Sequence, residues 1–237
     1  MTSPEVIALL AARYGLNVNL NQVARRQFWD ECRYTAAGMT TIAFFQVPLG
    51  GTDAVSSLGK TLEQTNVQQP GTLGNAYYVV NQIRTLGYLI PFGRQHATII
   101  ADADVIFTTW TNAMDKLLEL QRRGVLTISR GFKEELQIQS PFLRAPAGFG
   151  VDIDQHTASF ISAGSAWTKA ATWVTNDNDE SNVWNQTPPL IFGPNEQFSV
   201  RIDWPDGAGP VFTTLVDGVS PAVNLKVLFD GYLVQPS

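Results

Sequence analysis

Hydrophobic and polar residues alternate one for one in two stretches toward the C-terminal end of the chain. In Val223–Asp230, Val223, Leu225, Val227 and Phe229 fall on one side. Asn224, Lys226 and Asp230 fall on the other, with Leu228 the apolar exception. In Phe198–Trp204, Phe198, Val200, Ile202 and Trp204 alternate with Ser199, Arg201 and Asp203. A repeat of two belongs to an extended strand with one buried face, so both segments are predicted strands. Runs rich in β-branched and aromatic residues add Thr41–Val47, Ala76–Ile90, Val125–Ser129, Leu136–Gln139, Thr157–Ile161, Trp167–Val174, Leu190–Phe192 and Phe212–Val216. About eight to ten strands with polar loops between them predict a mainly β fold, an antiparallel β-sandwich of jelly-roll type.

The first 38 residues read differently. Thr2-Ser3-Pro4-Glu5 is a helix start, with proline in the first turn and an acid near the positive end. Val6, Leu9 and Leu10 form a narrow apolar stripe, and Gly15 supplies a stop. Leu20, Val23, Ala24, Phe28 and Cys32 extend an i, i+4, i+8 series, which predicts a second helix over Asn21–Tyr34. The expected organisation is an N-terminal helical arm (1–38) followed by one domain (39–237). One amphipathic helix is inserted near 104–123. Asp102 and Asp104 precede it, Ile106, Trp110, Met114, Leu117 and Leu118 form its stripe, and Gly124 ends it. Residues 52–75 are Ser-, Thr-, Gln- and Gly-rich and predict a long loop that serves contacts.

Composition shifts attention from chemistry to surfaces. Of 237 residues, 44% are hydrophobic, enough for a core, and only 16% are charged, against about 25% in an average soluble domain. Uncharged polar residues take their place: 13 Asn, 15 Gln, 21 Thr and 12 Ser. Such a surface costs little to desolvate and suits contact with other proteins. The net charge of −5 is uneven, at +2 over residues 1–150 and −7 over 151–237. Arg25, Arg26, Arg33, Arg94, Arg122, Arg123, Arg130 and Arg144 all lie in the first part. A pI near 5.0 argues against a dedicated nucleic-acid binder. Cys32 is the only cysteine, so no intrachain disulfide forms. Neither a signal peptide nor a run of about 20 apolar residues is visible.

Candidate chemistry is sparse. Asp152, Asp154 and His156 share one face of an extended segment and offer oxygen and nitrogen ligands to a divalent metal, against the simpler reading of a solvated polar face. Asp177, Asp179 and Ser181 have the 1, 3, 5 spacing of a calcium loop. The next residue is Asn182 where Gly is needed, and Pro188 stands where the bidentate Glu should be, so the EF-hand pattern fails. Gly59-Lys60-Thr61 resembles the end of a phosphate loop, but the required earlier glycine is Ala54. With His96 and His156 the only histidines and no G-x-S-x-G turn, no nucleophilic triad is indicated. Cys32 reads as a small packed hydrophobe. Trp29, Trp110, Trp167, Trp173, Trp184 and Trp204 read as core or interface aromatics. Trp173 and Trp184 flank a polar loop where a sugar would stack.

Taken together, the N-terminal arm, the strand Thr41–Val47 and the inserted helix resemble a viral shell protein of the jelly-roll type, from a bacterial virus. The closing pair Phe198–Trp204 and Val223–Val234, with D-G-Y-L-V-Q-P after it, and the loop Lys60–Asn66 add to the resemblance. It implies a structural virion protein, the major capsid protein foremost, that is not an enzyme. It implies no catalytic, cofactor-binding or metal residues and no small-molecule substrate. Its partners would be copies of itself, as trimer or higher within an icosahedral shell, and other virion proteins. Packaged nucleic acid or an internal membrane would lie against its basic half. It would be assembled in the host cytoplasm and reside in the virion. Two other classes stay open: a carbohydrate-binding or host-recognition β-sandwich of spike or lectin kind, and a glycoside-type hydrolase with dispersed carboxylates.

Overall fold

A computed structural model describes residues 2–35, 37–54, 57–89, 116, 119–120, 123–139, 154–162, 165–175, 183–204, 207, 209–212 and 223–235. They form one helix, α1 (Ser3–Tyr14), a 3-10 turn (Leu20–Gln22) and ten strands. The strands are β1 (Val23–Tyr34), β2 (Thr41–Phe44), β3 (Tyr77–Leu89), β4 (Val125–Arg130), β5 (Lys133–Gln139), β6 (Asp154–Ser162), β7 (Ser165–Thr175), β8 (Val183–Phe192), β9 (Phe198–Asp203) and β10 (Val223–Val234). The molecule is mainly β.

The expected second helix over Asn21–Tyr34 is a strand instead. Positions four apart are also an even number apart, so Phe28 and Cys32 share a face in either structure. β1 buries Phe28, Asp30, Cys32 and Tyr34 on one side, and the polar Asp30 among them hides the alternation from the sequence. β1 pairs with β10 over its whole length, from Val23 opposite Val234 to Tyr34 opposite Val223.

The helix expected near 104–123 lies mostly outside the described residues. Lys116, Glu119 and Leu120 have helical backbone, and Leu120 is buried in the core. β2 stops at Phe44, short of the predicted Val47, because Phe45 turns into the left-handed region at φ 61°. Phe212 is buried but lies in no strand, and the rest of Phe212–Val216 is outside the described residues.

Two antiparallel four-stranded sheets carry the fold, ordered β1-β10-β3-β8 and β2-β9-β4-β5. The pairs β1 with β10, β2 with β9, β3 with β8 and β4 with β5 are nested in sequence, each inside the one before. The pairs fall alternately in the two sheets. Cross-pairs β10 with β3 and β9 with β4 complete them. β6 and β7 form a separate two-stranded ribbon.

The sheets share one core. From the first come Phe28, Tyr34, Tyr78, Ile83, Phe192, Leu225, Val227 and Phe229. From the second come Ile42, Phe44, Leu126, Ile128, Ile138, Val200 and Ile202. Phe229 stacks on Phe45 with ring centroids 4.9 Å apart, and Phe192 meets Phe198 at 4.9 Å. The alternation read in Phe198–Trp204 and Val223–Asp230 thus marks two strands that face each other across the core.

Helix α1 begins as its sequence dictates. The Thr2 backbone N–H donates to Glu5 Oε2 at 2.6 Å, and Gly15 closes the end in the left-handed region, its N–H donating to Ala11 O at 3.0 Å. Val6 and Leu10 are fully buried in a second cluster with Val18, Val79, Ile191 and Val234. These last three belong to β3, β8 and β10 and point away from the main core. The helix therefore lies on the outer face of the first sheet.

Candidate functional site

Most of the residues expected to carry chemistry lie outside the described residues. Asp154 and His156 sit two apart on β6, opposite Thr175 and Trp173 of β7, while Asp152 is outside the described residues. Asp177, Asp179, Ser181, His96 and Trp110 also lie outside them. Among the described residues, no group of three or more His, Cys, Asp or Glu side chains is placed to hold a metal ion. Trp204 is a core aromatic against Tyr34, 5.3 Å between centroids. Trp29 is half-buried, and its Nε1 donates to Leu62 O at 3.1 Å.

Lys60, considered above as the lysine of a phosphate loop, has its amine turned inward. Its Nζ lies 2.7 Å from Asp30 Oδ1 with both side chains almost wholly buried, at 1% and 0% exposed. The other oxygen, Oδ2, accepts the Phe45 backbone N–H at 2.7 Å. Cys32 completes the cluster. Its Sγ is 3.4 Å from Lys60 Nζ, 3.5 Å from Asp30 Oδ2 and 3.3 Å from Ala43 O. Burial pushes the Cys32 thiol up, and the neighbouring Asp30 adds to the shift, so the sulfur keeps its proton. Burial pushes the Lys60 ammonium down, but contacts with Cys32 and Asp30 outweigh it and hold the group above the ordinary lysine range. Sequence alone could not join Asp30 to Lys60, because the link runs between a strand and a loop 30 residues later.

That loop covers the outer edge of β1. Glu31 N–H donates to Gln64 O at 2.8 Å, Trp29 N–H to Asn66 Oδ1 at 3.0 Å, and Asn66 Nδ2 to Gln27 O at 2.8 Å. A single bridge joins Asp30 and Thr65. The edge that an isolated strand would leave open is therefore occupied by the chain itself. Beside it lies a pocket of about 200 Å3 lined by Glu31, Arg33, Asp53, Leu58, Lys60, Gln64 and Asn224. On its wall Asn224 Nδ2 donates to Glu31 Oε1, and Lys226 Nζ lies 3.7 Å from Glu31 Oε2.

The outer surface carries apolar residues on its connections. Leu58 and Leu62 of the loop are 68% and 59% exposed, and Phe132 at the β4–β5 turn is fully exposed. Several arginines of the basic half are matched by carboxylates: Arg25 with Asp230 at 2.8 Å, Arg123 with Glu119 at 2.7 Å and Arg130 with Glu135 at 2.6 Å. No protein-family model, curated protein or solved structure matches the chain.

Proposed function

We propose that the chain is a structural virion protein of the jelly-roll type, with the major capsid protein as its role. It would self-assemble into a closed icosahedral shell. The observation that carries this reading is the nested strand order. Four pairs, each inside the one before, make a single long double ribbon. Rolling that ribbon sends successive pairs to opposite sheets, which is how a jelly roll is built. Viral capsid domains use this architecture, and so do lectins and cupins, so the surface must add to the case.

The surface supports assembly in three ways. Charged residues are few. Leu58, Leu62 and Phe132 present side chains that a neighbouring copy would cover. Among the described residues the β6–β7 ribbon pairs with neither main sheet, and a two-stranded ribbon is only marginally stable in water on its own. Exposed Arg26 at the start of β1 suits the side turned to packaged nucleic acid or lipid.

Light scattering and negative-stain imaging of the purified protein test the proposal. Multimers or closed particles are expected, favoured by higher concentration. A strict monomer across salt and concentration overturns it, and glycan binding by that monomer would move the reading to a lectin-like module.

A further inference from the structure

We propose that Lys60 and Asp30 condense to form an intramolecular amide bond inside the core. The inference rests on the geometry of the pair and is independent of the virion reading. The two groups are in contact at 2.7 Å, and their side chains are almost wholly buried. Such a pair is costly to keep ionised away from water. The pair rests ionised, and transient transfer of one proton along the hydrogen bond gives a neutral amine facing a neutral acid, the reactive combination.

The Nζ lone pair then attacks Asp30 Cγ. The new C–N bond forms, the bond from Cγ to Oδ1 breaks, and that oxygen leaves as water with two protons that began on the ammonium. The product is a secondary amide and one water, so no oxidant or further reactant is needed. Oδ2 is the oxygen that stays. The Phe45 N–H, 2.7 Å away, is placed to stabilise negative charge on it during the attack. Both protons that leave with Oδ1 pass to it directly from Nζ, its hydrogen-bond partner at 2.7 Å, while Cys32 Sγ packs 3.4 Å from the amine. Lys60 also borders the pocket beside Arg33 and Leu58, which gives the released water a way out. The bond would fasten β1 covalently to the loop that covers its edge.

Intact-mass spectrometry of the denatured full chain tests this, after the folded protein has been incubated at neutral pH. The expected mass is that of the sequence less one water, counted with or without the first methionine. Lys60→Arg should show its full sequence mass. Trypsin should fail to cut after Lys60 in the wild type, and tandem spectra should show a branched peptide joining the Asp30 and Lys60 segments. A wild-type protein at full mass that is cut after Lys60 overturns the proposal. A water loss that persists in Lys60→Arg overturns it too, since the loss would then lie elsewhere. Lys60→Arg keeps a cation beside Asp30, circular dichroism verifies that it folds, and the wild-type peptide map decides the question without any variant.

Discussion

Asp30 occupies a position that alternation reserves for a hydrophobe. It stands between Phe28 and Cys32 on the inner side of β1, and this one polar residue led the sequence reading to a helix. Its role becomes visible only with Lys60 and the Phe45 N–H around it, partners that no local pattern announces. Removing one member leaves the other charged and buried, which costs about 3–5 kcal/mol. Lys60→Met should therefore lower the urea midpoint strongly, and Lys60→Met combined with Asp30→Leu should lower it less. Other carboxylates tie stability to pH. Burial pushes Asp230 up, but Arg25 and Arg84 outweigh it and hold it below the ordinary range. Arg130, with Lys133, holds Glu135 down as well. A carboxyl depressed in the folded state stabilises it above the unfolded value of about 4 and loses that contribution as pH falls through the folded value. Thermal melts should fall from neutral pH to pH about 3, and Asp230→Asn should flatten that fall.

At the scale of elements, the readable pieces were those with one wet face. β9 and β10 alternate because one side meets the core and the other meets water or polar neighbours, and their boundaries were legible to within a few residues. The start and stop of α1 were equally legible from Thr2, Glu5 and Gly15. What α1 covers was not, since its partners Val79, Ile191 and Val234 come from three distant strands. Leu10→Ala removes the buried centre of that contact and should cost about 2–5 kcal/mol. Hydrogen exchange should show protection lost in α1 before it is lost in β10. Opposite Asp230 and Gly231 of β10, β3 carries one extra residue, Asn81, and this bulge moves its core-facing positions from Tyr78 and Val80 to Ile83. Glycine is required there, because any Cβ on residue 231 would run into the Val79 carbonyl oxygen.

At the scale of the molecule, the class was legible and the order was not. Composition and alternation indicate a mainly β chain, but strand order depends on pairings between distant parts of the chain, such as Val23 with Val234. Leu62 falls in the loop the sequence assigns to contacts, whereas the exposure of Phe132 escaped the sequence, because an aromatic between two strands looks like a core residue until the fold turns it outward. Their substitution separates assembly from folding. Leu62→Ser with Phe132→Ser should leave unfolding within about 0.5 kcal/mol of wild type, as exposed sites do. If the shell proposal holds, the same protein should show a marked shift toward monomer in light scattering.

Nested pairing also sets a timetable. β4 and β5 are joined by only Gly131 and Phe132, so that hairpin can close as soon as it is made. β1 must wait for β10, which is synthesised long after it, and an unpaired strand in a half-made chain is an invitation to aggregate. Gln64–Asn66 leave the ribosome long before β10 does, and they bond to the opposite edge of β1. The segment that secures the finished strand is thus made in time to shelter it while it waits.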